Sequence, residues 1–228
     1  MNKIKVIGFD ADDTLWANAI FFKEAENKFI ELMADIIPST PLVEALYATE
    51  MKNMEWYGYG VMAFTLSMVE TAIQVSNEKV PAYIIAEILA LGQAILAKPI
   101  QLAPGVPEIF PLLRDQYRLV VVTKGDLLDQ ERKLKNSGLL PYFQHIEVVT
   151  EKHAANYRHL IDWMGIKPEE FLMIGNSLKS DIVPVLEIGG RAVHIPHEIE
   201  WLFETARLPK QEYFKLDSLL ELPNFLSI

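Results

Sequence analysis

Lys3-Ile4-Lys5-Val6-Ile7-Gly8-Phe9-Asp10-Ala11-Asp12-Asp13-Thr14 is the stretch that decides how this chain folds. A short apolar, β-favouring run meets carboxylates abruptly, so Lys3–Phe9 reads as a strand that delivers Asp10, Asp12 and Asp13 at its carboxyl end. The apolar run is too brief for a secretory signal. From about Trp16 to Ala97 the pattern is helical instead. Phe22, Ala25, Phe29, Leu32 and Met33 recur at spacings of three and four, as one face of an amphipathic helix requires. Further helices are expected at Pro41–Tyr57, Val61–Val75 and Pro81–Ala97, separated by Pro38-Ser39-Thr40-Pro41, Gly58-Tyr59-Gly60 and Ser76-Asn77. The window Ile84–Ala97 is too short to cross a bilayer and reads as a mostly buried helix. Met62, Phe64 and Met68 read as helix core.

After Pro104-Gly105 the pattern changes to helices alternating with β-rich runs, the sign of βαβ units and a parallel sheet. Strands are expected at Leu119–Thr123, His145–Thr150, Phe171–Gly175 and Arg191–Ile195, with helices such as Asp126–Asn136 and Ala154–Met164 between them. The expected fold is α/β, a three-layer Rossmann-like parallel-sheet core (1–15 and 99–228) with an inserted four-helix cap domain (16–98).

The chain's 228 residues suffice for such a core and insert. Its 31 acidic against 21 basic residues give a net charge of −10, which disfavours nucleic acid and anionic membranes as partners. With no cysteine, disulfides, thiolate zinc sites and a Cys nucleophile are excluded, and a reducing, cytoplasmic setting is the expectation.

Ligands of open parallel sheets bind beyond the carboxyl ends of the strands. Those ends carry Asp10-Ala11-Asp12-Asp13-Thr14, Thr123-Lys124-Gly125, Glu151-Lys152 and Gly175-Asn176-Ser177, with Asp181 a helical turn further on. As a set, these residues resemble the four motifs of the haloacid dehalogenase-like hydrolases, in the subclass with a helical cap between motifs one and two. Phe9–Leu15 is similar to motif one, Val121–Gly125 to motif two, Lys152 to motif three and Gly175–Asp181 to motif four.

The resemblance implies a magnesium-dependent phosphatase acting on a small phosphorylated metabolite. Asp10 is then the nucleophile that forms an aspartyl-phosphate, and Asp12 the acid and base that also offers its backbone carbonyl to the metal. Thr123 and Lys152 bind the transferring oxygens. Asp181 and Asn176 join Asp10 and Asp12 around Mg2+, a hard cation suited to oxygen donors. The dehalogenase branch needs no acid for its leaving group and generally lacks the second aspartate, so Asp12 favours phosphoryl transfer.

Two alternatives keep the same fold: a phosphotransferase such as a sugar phosphomutase, and a non-catalytic phosphate-binding module. Asp13 stands where the family very often has glycine, His153 where proline follows the lysine, and Asn176 where aspartate is commoner. A monomer or homodimer is expected.

Other features carry blander readings. His194 and His197, with Pro196 between them, read as loop residues rather than zinc ligands. Arg132-Lys133-Leu134-Lys135 reads as a solvated helix face. Glu151 is a candidate partner for Lys152, and Lys124 and Lys179 are rival phosphate-binding cations. The aromatics Trp56, Tyr57 and Tyr59 either face substrate or pack within the cap or on a partner subunit. Hinges for cap movement are expected near Trp16–Asn18 and Lys98–Pro99.

Overall fold

The computed structural model describes residues 4–199 and 211–228. The chain divides into two units, which are Met1–Asn18, Ile100–Lys124 and Gln130–Ile228 on one side, and Ala19–Pro99 with Gly125–Asp129 on the other.

The first unit is built on a six-stranded, wholly parallel sheet. β1 (Val6–Phe9), β2 (Arg118–Lys124), β3 (His145–Val149), β4 (Phe171–Gly175), β5 (Arg191–His194) and β6 (Phe214–Lys215) lie in the order β3-β2-β1-β4-β5-β6. The order reverses at β1, which pairs Phe9 with Val121 on one side and with Ile174 on the other. In such sheets the crevice outside this switch point is where ligands bind. The strand expected from Lys3 begins at Val6, and Lys3 itself lies outside the described residues.

The apolar faces of β1 and β2 alternate between two buried clusters. Ile7, Phe9, Leu119 and Val121 pack with Ile109, Phe110 and Leu113 of α5 (Val106–Leu113), while Val6, Val120 and Val122 pack with Tyr157, Leu160 and Ile161 of α7 (Ala154–Trp163). Helices on both faces make the three layers. Trp16 bridges Leu102 in antiparallel fashion, and Ala17 donates its N–H to the Gln101 carbonyl at 3.0 Å. The segments leaving and rejoining the sheet unit are therefore tied side by side, and the helical unit begins at Ala19 rather than Trp16.

The second unit holds four helices: α1 (Ala19–Met33), α2 (Ser39–Tyr57), α3 (Val61–Val75) and α4 (Ala82–Leu96). Phe29, Met33, Leu42, Met68 and Ile88 are fully enclosed. The Phe22 and Phe64 rings lie 5.2 Å apart. Two expectations are corrected here. α4 is buried along one face only, at Ile84, Ile88, Gly92 and Ile95, while Tyr83 stays 68% exposed; an all-round apolar sequence does not require all-round burial. Gly92 sits on the buried face because a β-carbon there would come within 2.1 Å of the Thr65 hydroxyl. Met62 is exposed instead of lying in the helix core, and Trp56 and Tyr57 are exposed too.

Candidate active site

Asp10 follows β1 directly, and its backbone N–H donates to the Ile174 carbonyl at 2.9 Å, continuing the β1–β4 ladder by one residue. The chain then turns sharply. Asp13 adopts φ 64°, the left-handed region that glycine favours, which explains why glycine suits this position. Asp tolerates the conformation through a local hydrogen bond: its Oδ1 accepts from the Asn18 N–H at 2.8 Å. The Asp13 N–H donates to the Trp16 carbonyl at 2.8 Å, closing the turn.

This turn sends Asp10 and Asp12 into different surroundings. Asp10 is 6% exposed, and its Oδ2 accepts from the Thr14 hydroxyl at 2.9 Å. Its Oδ1 accepts from Lys152 Nζ at 2.5 Å, and the same ammonium donates to Asp181 Oδ1 at 2.7 Å. Lys152 enters between β3 and α7. His153, at the N-cap of α7, donates its N–H to Asn156 Oδ1 at 3.1 Å, a bond proline could not make. Lys152, not Lys124 or Lys179, is thus the cation at this pair of carboxylates, and its partners are Asp10 and Asp181 rather than Glu151.

Asp181 is fully buried on a π-helical turn, Leu178–Ile182, leading into α8 (Val183–Glu187). Ser177 caps that turn by accepting from the Ser180 N–H, and the Ser177 N–H donates to Asp181 Oδ2 at 2.9 Å. The Tyr157 hydroxyl fastens the turn through the Ser180 carbonyl at 2.9 Å. Single wide turns of this kind recur at functional sites. Gly175 makes room for it, since a β-carbon there would lie 2.3 Å from Asp181 Cγ.

The electrostatics follow from two buried carboxylates sharing one ammonium. Burial pushes Asp10 up to about 7 against the opposing pull of Lys152, and the Asp181 charge adds to the rise. Burial alone would depress Lys152, but the Asp10 and Asp181 charges outweigh it and hold the ammonium above the ordinary lysine range. With both carboxylates ionised, the pair carries one negative charge that Lys152 does not compensate. Its oxygens suit a hard divalent cation. Asn176 Oδ1 adds a neutral donor, which accepts from Thr14 Oγ1 at 3.4 Å.

Asp12 turns away from this pair. Its Oδ1 accepts from Trp16 Nε1 at 2.7 Å and from Lys133 Nζ at 2.9 Å, and its Oδ2 accepts from Gln130 Nε2 at 2.8 Å and from Lys133 Nζ at 3.1 Å. The Asp12 carboxylate therefore does not share the setting of Asp10 and Asp181. Among the described residues no three His, Asp or Glu side chains converge as metal ligands, and what Asp12 can offer a cation beside Asp10 is its backbone carbonyl. The reading of Lys133 as part of a solvated face is corrected: its side chain is 14% exposed on α6 (Leu127–Ser137).

Thr123 is buried at the end of β2, two residues beyond the Phe9–Val121 pair, where its hydroxyl donates to the Lys124 carbonyl at 3.3 Å. His194 Nε2 lies 2.9 Å from the Asn176 carbonyl, and His197 Nε2 lies 3.7 Å from Asp13 Oδ1. Thr14, Trp16, Gln130 and Lys133 were not singled out as site residues from sequence. Thr14 lies within the stretch similar to motif one, Thr14 and Trp16 each stand four residues from the aspartate they touch, and Gln130 and Lys133 stand three apart beside the buried Leu134.

Residues 4–187 match the family model described as haloacid dehalogenase-like hydrolase. Among curated proteins, the chain is 30% identical to N-acylneuraminate-9-phosphatase of Mus musculus over 134 residues, 55% of this chain and 52% of the mouse protein. The match thus spans about half the length of that relative. It is 25% identical to glyceraldehyde 3-phosphate phosphatase of Pyrococcus furiosus over 199 residues, 85% of this chain and 81% of the archaeal one. A crystal structure of a haloacid dehalogenase-like hydrolase from Xanthomonas campestris superposes with a TM-score of 0.88 at 35% identity, covering 99% of this chain and 91% of that one. A magnesium-bound Bacillus subtilis structure described as a HAD hydrolase shares the fold, with a TM-score of 0.66 at 20% identity over 99% of this chain and 100% of that one.

Proposed function

The chain belongs to the haloacid dehalogenase-like hydrolases, and from that premise we propose that it is a magnesium-dependent phosphatase acting on a small phosphorylated metabolite through an aspartyl-phosphate on Asp10. The observation that carries this reading is the buried pair Asp10 and Asp181 sharing the Lys152 ammonium, with Asp12 two residues along but held apart from it. The phosphatase names of the curated relatives support a phosphorylated metabolite.

In the first step an Asp10 oxygen bonds to phosphorus as the ester P–O bond breaks, and Asp12 gives its proton to the leaving oxygen. In the second, Asp12 takes a proton from the water whose oxygen attacks phosphorus, and the Asp10–phosphorus bond breaks. Lys152 and the Thr123 hydroxyl hold the non-bridging oxygens, whose charge needs fixed donors. Asp10, Asp181, Asn176 and the Asp12 carbonyl would hold Mg2+, which offsets repulsion between the Asp10 carboxylate and a phosphate dianion. The four-helix unit is the insert that corresponds to the cap.

The test is hydrolysis of p-nitrophenyl phosphate with magnesium by wild type and Asp10→Asn. The expected loss is at least about a thousandfold in kcat, since the variant has no nucleophile to phosphorylate. Equal rates in the two would falsify the mechanism.

A further inference from the structure

We propose that Gln130 and Lys133 of α6 are positioning residues for the acid and base Asp12, holding its carboxylate in the orientation that proton transfer to the leaving group requires. The inference rests on the phosphatase reading of Asp10 and Asp12. Both oxygens of Asp12 are engaged, and among the described residues Gln130 and Lys133 of this one helix supply three donor contacts beside that of Trp16. A carboxylate on a loop has free rotation about its terminal torsion, so donors on a packed helix are what fix its plane.

Gln130 is 1% exposed. Its Nε2 bridges Asp12 Oδ2 at 2.8 Å and the Lys124 carbonyl at 3.1 Å, so the amide links the acid to the end of β2. Since a carbonyl accepts only, the amide is turned with its nitrogen toward both oxygens. Its Oε1 is then left buried with no hydrogen-bond partner among the described residues. A glutamine kept where half of its polar group is unsatisfied is a poor choice for stability and needs another reason.

Lys133 supplies the charge. Its Nζ touches both oxygens of Asp12 and also donates to Asn18 Oδ1 at 2.9 Å. Asn18 is the last residue of the sheet unit before α1 and is tied to Asp13 through its own N–H. One ammonium therefore fixes the acid against the segment in which the chain leaves the sheet unit.

A positioning role and a merely structural one are separated by the leaving group. Nitrophenolate departs without a proton, whereas an alkoxide needs one from Asp12. The specificity constant kcat/KM reports the steps through phosphoenzyme formation. The readout is the ratio of kcat/KM for glycerol 3-phosphate to that for p-nitrophenyl phosphate, measured in one preparation so that the folded fraction cancels.

Lys133→Met and Gln130→Leu are each expected to lower this ratio by about tenfold to a hundredfold, as misplacement of a proton donor does. Lys133→Arg is expected to restore it to within about threefold of wild type. In an Asp12→Asn background, where no carboxylic acid is left to position, Lys133→Met is expected to leave the ratio unchanged. A wild-type ratio in Lys133→Met or Gln130→Leu overturns the assignment for that residue, and a further fall in the Asp12→Asn background shows action by another route and overturns it too. A wild type inert toward both esters, with no phosphorylation of Asp10, would instead overturn the phosphatase reading, and this inference with it.

Discussion

Replacing Lys152 by Met tests the electrostatic account of the site most directly. The change keeps an unbranched stem of similar volume, so packing changes little, but it removes the ammonium that donates to Asp10 at 2.5 Å and to Asp181 at 2.7 Å. Breaking a buried ion pair from one side costs about 3–5 kcal/mol because the other charge is stranded. The cost should depend on pH in a defined way. Asp10 lies near 3.8 when unfolded and at about 7 in the folded protein, so its bound proton favours the folded state fully below the unfolded value, and that contribution is lost as pH rises through the folded one. Lys152 pulls Asp10 down, so in the variant the folded value moves higher still. Between about pH 5 and 7 both proteins carry the proton when folded, and the deficit of the variant is constant. Above about pH 7 the wild type has released it while the variant has not, and the deficit widens by up to about 1.4 kcal/mol per pH unit. Urea denaturation followed by circular dichroism at about pH 6 and about pH 8.5 measures both quantities. A deficit independent of pH, or smaller at the higher pH, would refute the reasoning.

Glu50 on α2 is pushed up to about 7 by burial, with the Glu26 charge adding to it, so Glu50→Gln should stabilise the protein by about 2 kcal/mol above that pH and give no gain near pH 4; urea melts at the two pH values check it. Gly175→Ala places a β-carbon 2.3 Å from Asp181 Cγ, and the carboxylate must give way. The expected outcome is about a hundredfold lower kcat with a stability loss of about 1–3 kcal/mol, read from steady-state kinetics and thermal melts. Asn176→Asp adds a carboxylate to a neutral donor position and should tighten magnesium binding about tenfold by calorimetry; an unchanged affinity counts against Asn176 as a ligand.

The parallel sheet was legible because its central strands are buried on both faces and read as continuous apolar runs: Leu119–Val122 and Phe171–Ile174 admit few other structures. β6 escaped for the opposite reason. Phe214 and Lys215 are both exposed and are held by backbone pairing to Val193 and His194, which leaves no hydrophobic pattern to find. The helices of the second unit were legible in position from their period of three and four, yet the burial of α4 was not, since Tyr83 and Leu89 look as apolar in the sequence as Ile84 and Ile88. At the site, the aspartates, Thr123 and Lys152 could be named because strand ends converge on one edge of a parallel sheet. Which of them touch could not, because contact depends on turns: the Lys152 ammonium reaches both carboxylates only because Gly175 leaves space for the π-helical turn that carries Asp181.

The same principle explains how two aspartates separated by one alanine acquire opposite tasks. An extended chain sends residues i and i+2 to the same side. Here the strand ends at Phe9, so the extended period of two stops before Asp12, and the chain turns on beyond it with Asp13 at φ 64°. Asp10 enters a buried setting beside a second carboxylate, where its charge is costly and a cation is welcome. Asp12 reaches the largely buried flank of α6, where an indole, an amide and an ammonium surround it. A nucleophile must approach an anionic phosphate and so needs its charge neutralised; an acid and base must exchange protons with leaving group and water and so needs orientation instead. If the turn is what divides the two tasks, then Asp13→Gly, which keeps the left-handed conformation but loses the bond to the Asn18 N–H, should disturb Asp12 more than Asp10. The expected result is a fall of about threefold to tenfold in kcat/KM for an alkyl phosphate, with p-nitrophenyl phosphate affected by less than about twofold. An equal fall for both esters would mean that the turn supports the whole site and not the division within it.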